Sequence, residues 1–148
     1  MSFPSVTDLI PILQIAIGPV ILISGVGLLL LTMTNRLGRV IDRARTLYEK
    51  LRTETPTEQD RTRAQLKILQ RRAGFVRQAI ILATLSILLA ALLIISLFFA
   101  ALLRLDVGWL IMLFFIGCLL SLIGSLLTFI RDINQSLLAL KLELGDET

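Results

Sequence analysis

The chain contains no histidine and a single cysteine, Cys118. Without imidazole, and with one thiol, it lacks the usual soft-metal ligands and the usual proton shuttle at neutral pH, so a metal site would need carboxylates alone. A lone cysteine also excludes a disulfide within the chain, and its place in an apolar run reads as a small buried side chain. Charge is missing only in places: no Asp, Glu, Lys or Arg falls within residues 9–33, 79–103 or 107–130. Pumps and ion-coupled transporters keep an ionisable group in such segments, so proton-coupled transport is not expected. No nucleotide loop, nucleophile and base pair, or metal-ligand cluster occurs, and neither an enzyme nor a cofactor is expected. The first residues, Met1 to Asp8, carry no Lys or Arg, and the apolar run after them is too long for the core of a cleaved signal, so it reads as a retained span.

What is abundant is apolar surface. Of 148 residues 55% are hydrophobic, and the mean hydropathy of +0.84 exceeds what one soluble core of this size hides. A hydrocarbon layer of ~30 Å takes roughly 20 helical residues, and the three uncharged runs meet that length. The expected fold class is all-α: an integral membrane three-helix bundle, a single domain over 1–148, with long cytoplasmic helical extensions. These are an antiparallel hairpin over 34–78 and a C-terminal helix over 131–144. In the first span Pro11 suits a first turn, whereas Pro19 removes a backbone bond and should kink the helix unless neighbours satisfy the freed carbonyl. Gly18 and Gly25 share a face that would admit a second helix closely, and Gly117, Ser121 and Ser125 recur every four residues. That second face reads as packing within the monomer ahead of dimerisation.

At Asn35 the composition changes abruptly. From Asn35 to Arg52 (NRLGRVIDRARTLYEKLR) nothing stops a helix, and Gly38 alone costs only about 1 kcal/mol. At 100° per residue, Leu37, Val40, Ile41, Ala44, Leu47, Tyr48 and Leu51 form an apolar stripe, flanked by a basic stripe of Arg36, Arg39, Arg43 and Lys50. Asp42 is three residues from both Arg39 and Arg45, within reach of helix-surface ion pairs. Thr55, Pro56 and Glu58 fit an N-cap, a proline at the first helical position and a capping box, so a second helix starts there. Leu66, Leu69, Ala73, Val76 and Ile80 give it one apolar stripe, Ile68 and Phe75 another, and Arg63, Lys67 and Arg71 a basic face. Two stripes imply two neighbours. The connection at Arg104, Leu105 and Asp106 is expected to be tight, with Arg104 snorkelling and Trp109 at the interface. After Arg131 the tail continues as an amphipathic helix with Ile133, Leu137, Leu140 and Leu144 on one stripe, ending in a frayed polar stretch from Gly145 to Thr148.

Residues 34–78 hold twelve Lys and Arg, the tail adds Arg131 and Lys141, and the other side of the three spans has only Arg104. Fourteen against one places the hairpin and C-terminus in the cytoplasm and the N-terminus outside. Near the membrane surface, Asn35, Arg36, Arg39, Asp42 and Arg43 should share a depth with Arg72, Arg77, Arg131, Asp132 and Asn134. One reading is an interfacial ion-pair layer of Asn35, Arg39, Asp42, Arg72, Arg77, Arg131 and Asp132 that locks the helices where they leave lipid. The other is a binding surface in which Arg36, Arg39, Arg43, Arg63, Lys67 and Arg71 contact anionic lipid or an acidic partner. The protein would then be a docking protein in the lipid bilayer, self-associating as a homo-oligomer or serving as a subunit of a membrane complex. Nucleic acid is not an expected partner, because the basic stripes lack interleaved aromatics. A homo-oligomeric, anion-leaning channel is the alternative, with Gln14, Ser24, Ser86, Ser96, Ser121, Ser125 and Thr128 as pore candidates.

The run N-R-L-G-R-V-I-D-R-A-R at Asn35 to Arg45, preceded by G-P-V at Gly18 to Val20, resembles a family of small bacterial three-span membrane proteins catalogued only as a domain of unknown function. The resemblance extends over most of the chain. It implies a bacterial inner-membrane location and the same topology, and it carries no activity or known site.

Overall fold

In a computed structural model, residues 6–53, 55–103, 106 and 108–145 are described, with side chains over the same residues except 6, 8, 57 and 135–145. Every described element is helical: α1 is Val6–Leu51, α2 is Pro56–Leu103 and α3 is Gly108–Gly145. All three are long and apolar enough to cross a membrane. In lipid a helix satisfies its own backbone, which is why the Leu-, Ile- and Ala-rich runs take this form. As the unbroken patterns imply, α1 passes through Asn35 and the helical course includes Pro11 and Pro19. The expectations for Arg104 and Leu105, and for the side chains of Leu137, Leu140 and Leu144, fall outside the described residues.

The end of α1 tightens, with the N–H groups of Arg52 and Thr53 donating to the carbonyls of Glu49 and Lys50 at 3.1 and 3.0 Å. Thr55 then caps α2. Its N–H and its hydroxyl both donate to Glu58 Oε2, at 3.4 and 2.8 Å. The glutamate reaches back as in a capping box, but the hydroxyl donates to it where the usual box has the hydroxyl accepting from the backbone. Gln59 Nε2 donates to the Leu51 carbonyl at 3.3 Å, so the first turn of α2 satisfies one of the orphan carbonyls of α1.

The helices divide between two compact units. The first comprises the described parts of Met1–Leu30 and Leu82–Gly124. Here α2 presents Ala83, Ser86, Ala90 and Leu93, all buried, at spacings of three and four. The small Ala83, Ser86 and Ala90 let α3 come close. Ser86 Oγ donates to the Cys118 carbonyl at 3.0 Å, and Ser121 Oγ to the Leu82 carbonyl at 2.7 Å. A Cβ on Gly117 would lie 3.3 Å from Leu89 Cδ1, and one on Gly124 3.4 Å from Leu82 Cδ1. The expected small-residue packing within the monomer is therefore present on α3.

On α1 the outcome differs. Nothing lies within 4 Å of a Cβ placed on Gly18 or Gly25. Instead Gly18, Pro19 and Leu22 border an apolar cavity of about 250 Å³, closed by Ala90, Leu93, Phe115, Cys118 and Leu119. A missing side chain permits close approach without enforcing it, and α1 leaves that space open.

The second unit comprises Leu31–Ile81 and the described part of Ser125–Thr148. Its core is Met33, Leu69, Val76 and Ala79, with Thr62, Ser125 and Asp132 buried among them. Ser125 Oγ donates to the Ala79 carbonyl at 2.7 Å. The packed face of α1 runs through Met33, Leu37, Val40, Ala44, Leu47 and Leu51, while Ile41 and Tyr48 are exposed. The expected stripe was too wide: Ile41 and Tyr48 sit 60 to 80° off the packed axis by roughly 100° per residue, and the helix turns its other flank, bearing Arg36, inward. On α2 the Thr62, Leu69 and Val76 stripe is buried, whereas Ile68 is exposed and Phe75 half-buried.

The two glycine environments give opposite expectations. Gly117→Val puts branches against Leu89 and should destabilise the fold by roughly 1–3 kcal/mol. Gly25→Ala should leave stability unchanged or raise it by up to about 1 kcal/mol. Unfolding in mixed micelles titrated with a denaturing detergent measures both.

Candidate functional site

Among the described residues the charged side chains do not form one broad layer. Three of them converge inside the second unit. Asp132, 1% exposed, is met by Arg36 Nε at 3.1 Å from Oδ2 and by Arg72 Nε at 4.0 Å from Oδ1. Each helix supplies one member. The spacing of α3 aids this, because Phe129 lies three residues before Asp132 on the same face, and the Arg36 guanidinium stands 5.5 Å from the centre of its ring. Arg36 is thus held by α3 from two sides.

Burial makes the cluster consequential. Taking a carboxylate out of water costs several kcal/mol unless cations and hydrogen bonds answer it, and removing one member leaves an uncompensated charge. The two arginines keep 24% and 27% of their side-chain surface exposed, so they bridge the buried acid and the surface.

On that surface is a cleft of about 310 Å³ lined by Arg36, Arg39, Val40, Arg43, Leu69 and Arg72. Arg36, Arg39 and Arg43 follow one another at three and four residues along α1, and Arg72 reaches the cleft from α2. Four arginines and two aliphatic residues line it, with no acidic residue among the described ones. Such a concentration of planar, bidentate donors suits phosphate or carboxylate oxygens.

The remaining expected positions are dispersed. Asn35, Asp42, Arg77 and Arg131 are exposed, as are Arg63, Lys67 and Arg71 on α2. Asp42 has no ion pair with another described residue; its carbonyl accepts from Thr46 Oγ1 at 3.1 Å. The layer is narrower than its seven expected members. Arg72 and Asp132 form its core, and Arg36, expected on the binding surface, joins them. Arg39 belongs to the cleft. Phe129, Val40 and Leu69 were not anticipated as site residues, although the three-residue spacing of Phe129 and Asp132 was available as a signal. Among the described residues no three His, Cys, Asp or Glu side chains converge as metal ligands would.

The hydroxyls weighed as pore lining are engaged elsewhere. Ser86, Ser121 and Ser125 bond carbonyls of the facing helix, and Ser24 and Ser96 bond carbonyls of their own helix at 3.3 and 2.8 Å.

Three apolar helices long enough to cross a bilayer define a multi-pass helical membrane protein. The chain belongs to the family described as Protein of unknown function (DUF2721), whose model matches residues 16–142. The matched stretch includes Arg36, Arg72 and Asp132. No curated protein and no solved structure matches the chain.

The contrast between the two acids is measurable. Asp132→Ala should cost about 3–5 kcal/mol, because two partly buried arginines lose their shared partner. Asp42→Ala, at an exposed position, should change stability by no more than about 0.5 kcal/mol. Detergent-titrated unfolding of the two variants beside the parent chain gives both numbers.

Proposed function

We propose that this is a non-enzymatic, multi-pass protein of the bacterial inner membrane that docks anionic lipid headgroups through the basic surface of its α1 and α2 hairpin. The N-terminus is outside, and the hairpin and C-terminus are cytoplasmic. The observation that carries the reading is the cleft of four arginines with no carboxylate in its lining. Fixing the topology needs an excess of cations, but it does not need them to converge. Arg63, Lys67 and Arg71 form a second, exposed basic face along α2, about 120 to 200° from Leu69 by roughly 100° per residue, where they meet headgroups. Each such cation near an anionic surface contributes ~1 kcal/mol. Self-association belongs to the same reading, since Gly25 is exposed and nothing lies within 4 Å of a Cβ placed on it, which leaves a small-residue position open to a helix of a second copy.

Two measurements decide it. After reconstitution in vesicles of neutral lipid with a minor anionic phospholipid, the lipids retained on mild solubilisation should be enriched in the anionic one. Each basic residue replaced by Gln should lower that enrichment by about fivefold at most, the factor that ~1 kcal/mol represents. Retention that mirrors the vesicle composition would end the reading. For orientation, a thiol introduced as Lys67→Cys in a Cys118→Ala background should react only with reagents admitted to the cytoplasmic side.

A further inference from the structure

We propose that the cleft lined by Arg36, Arg39, Arg43 and Arg72 is a discrete site for one dianionic phosphate group, carried by a phosphomonoester or by inorganic phosphate. This rests on the hairpin being an anion-contacting surface and narrows that surface to a single pocket and a single ligand chemistry.

Charge count comes first. Four arginines line the cleft, and the acid in contact with two of them, Asp132, offsets one. An excess of about three positive charges is poorly answered by a carboxylate or a phosphodiester, which bring one negative charge each. A phosphomonoester brings up to two, together with three acceptor oxygens. The donors are all arginine. Planar forks approaching from two helices can each engage a pair of oxygens on a tetrahedral centre, which a lysine point charge does not do.

Order in the donors is the second argument. Arg36 is fixed by Asp132 at 3.1 Å and by the Phe129 ring at 5.5 Å, and Arg72 is drawn toward the same carboxylate. Two of the four guanidiniums are therefore in place before a ligand arrives, which reduces the ordering cost of binding. Arg63, Lys67 and Arg71 have no comparable support, being exposed along one face of α2.

Size and lining supply the third. A water takes about 30 Å³, so 310 Å³ holds on the order of ten water-sized groups. A tetrahedral phosphate, whose bonded atoms overlap, takes only a fraction of that. Val40 and Leu69 form the rest of the wall, an apolar surface suited to the carbon side of an ester.

The test uses the full chain in neutral detergent with zwitterionic lipid. Its thermal midpoint is followed while inorganic phosphate, phosphatidic acid as a lipid monoester, or phosphatidylglycerol as a lipid diester is added. The site predicts a saturable rise with the monoester or with phosphate, at concentrations about tenfold below those at which the diester acts. A response to phosphate itself identifies a free-phosphate ligand, and a response to phosphatidic acid alone identifies a headgroup; either supports the site. Arg39→Gln with Arg43→Gln should abolish the saturable rise, while Arg63→Gln with Lys67→Gln keeps it. All four positions are exposed, so both variants should melt like the parent chain before addition. Equal responses to the diester and the monoester, weakened alike in both variants, would overturn the site and leave a diffuse anionic-lipid surface standing. No response to any anionic lipid would remove that surface and the site together.

Discussion

A carboxylate that gives up all but 1% of its exposure must be answered by charge, and around Asp132 that requirement fixes the arrangement of three helices. Arg36 comes from α1, Arg72 from α2, and the acid from α3. Because successive residues of a helix point about 100° apart, turning α1 by one position would bring Leu37 to the acid and carry Arg36 away. Apolar packing tolerates exchange of one aliphatic side chain for another of similar volume. It does not tolerate an unanswered charge, so the cluster selects one rotation and one register among the several that Met33, Leu69 and Val76 would accept.

The first unit relies on different contacts. Between α2 and α3 the polar links are neutral, a serine hydroxyl to a carbonyl, and they work because Ala83, Ser86, Ala90, Gly117 and Gly124 keep the two backbones close. In lipid no water competes for apolar surface, so close van der Waals contact and such hydrogen bonds are the main sources of cohesion. There α1 buries Ala16 and Val26, and the cavity beside Gly18 and Pro19 is what remains where it stands off. One region is specified by charge, the other by closeness.

Much of the architecture was legible in the sequence because its signals are local. An uncharged run of about 20 residues marks a span, and the Thr55, Pro56 and Glu58 combination marked the start of α2 at Pro56. The absence of any breaker after Met33 correctly implied one continuous helix as far as Leu51. What periodicity could not supply was rotation. Arg36 and Arg39 lie on the same flank of α1 by spacing, and only packing decides that Arg36 reaches Asp132 while Arg39 remains at the cleft. The same limit made the apolar stripe too wide at Ile41 and Tyr48. Asp42 looked pairable because Arg39 and Arg45 are three residues away, yet on an exposed face such proximity provides little to hold long side chains together. Glycine spacing likewise did not name the neighbour: a Cβ on Gly117 or Gly124 would meet a leucine of α2, whereas one on Gly18 or Gly25 would meet nothing within 4 Å.

The depth of Asp132 also divides the protein's response to ionic strength. Dissolved ions shorten the reach of charges that face water, to about 3 Å at 1 M, and act far less on charges enclosed by protein. The neutral amide of Gln59 helps to close the turn and the anchoring acid is enclosed, so both respond far less to the salt of the surrounding solution. Arg39 and Arg43 do depend on it, being exposed. Rising salt thus loosens what the outer arginines hold and leaves the fold that presents them intact, making the cleft's grip adjustable independently of its frame.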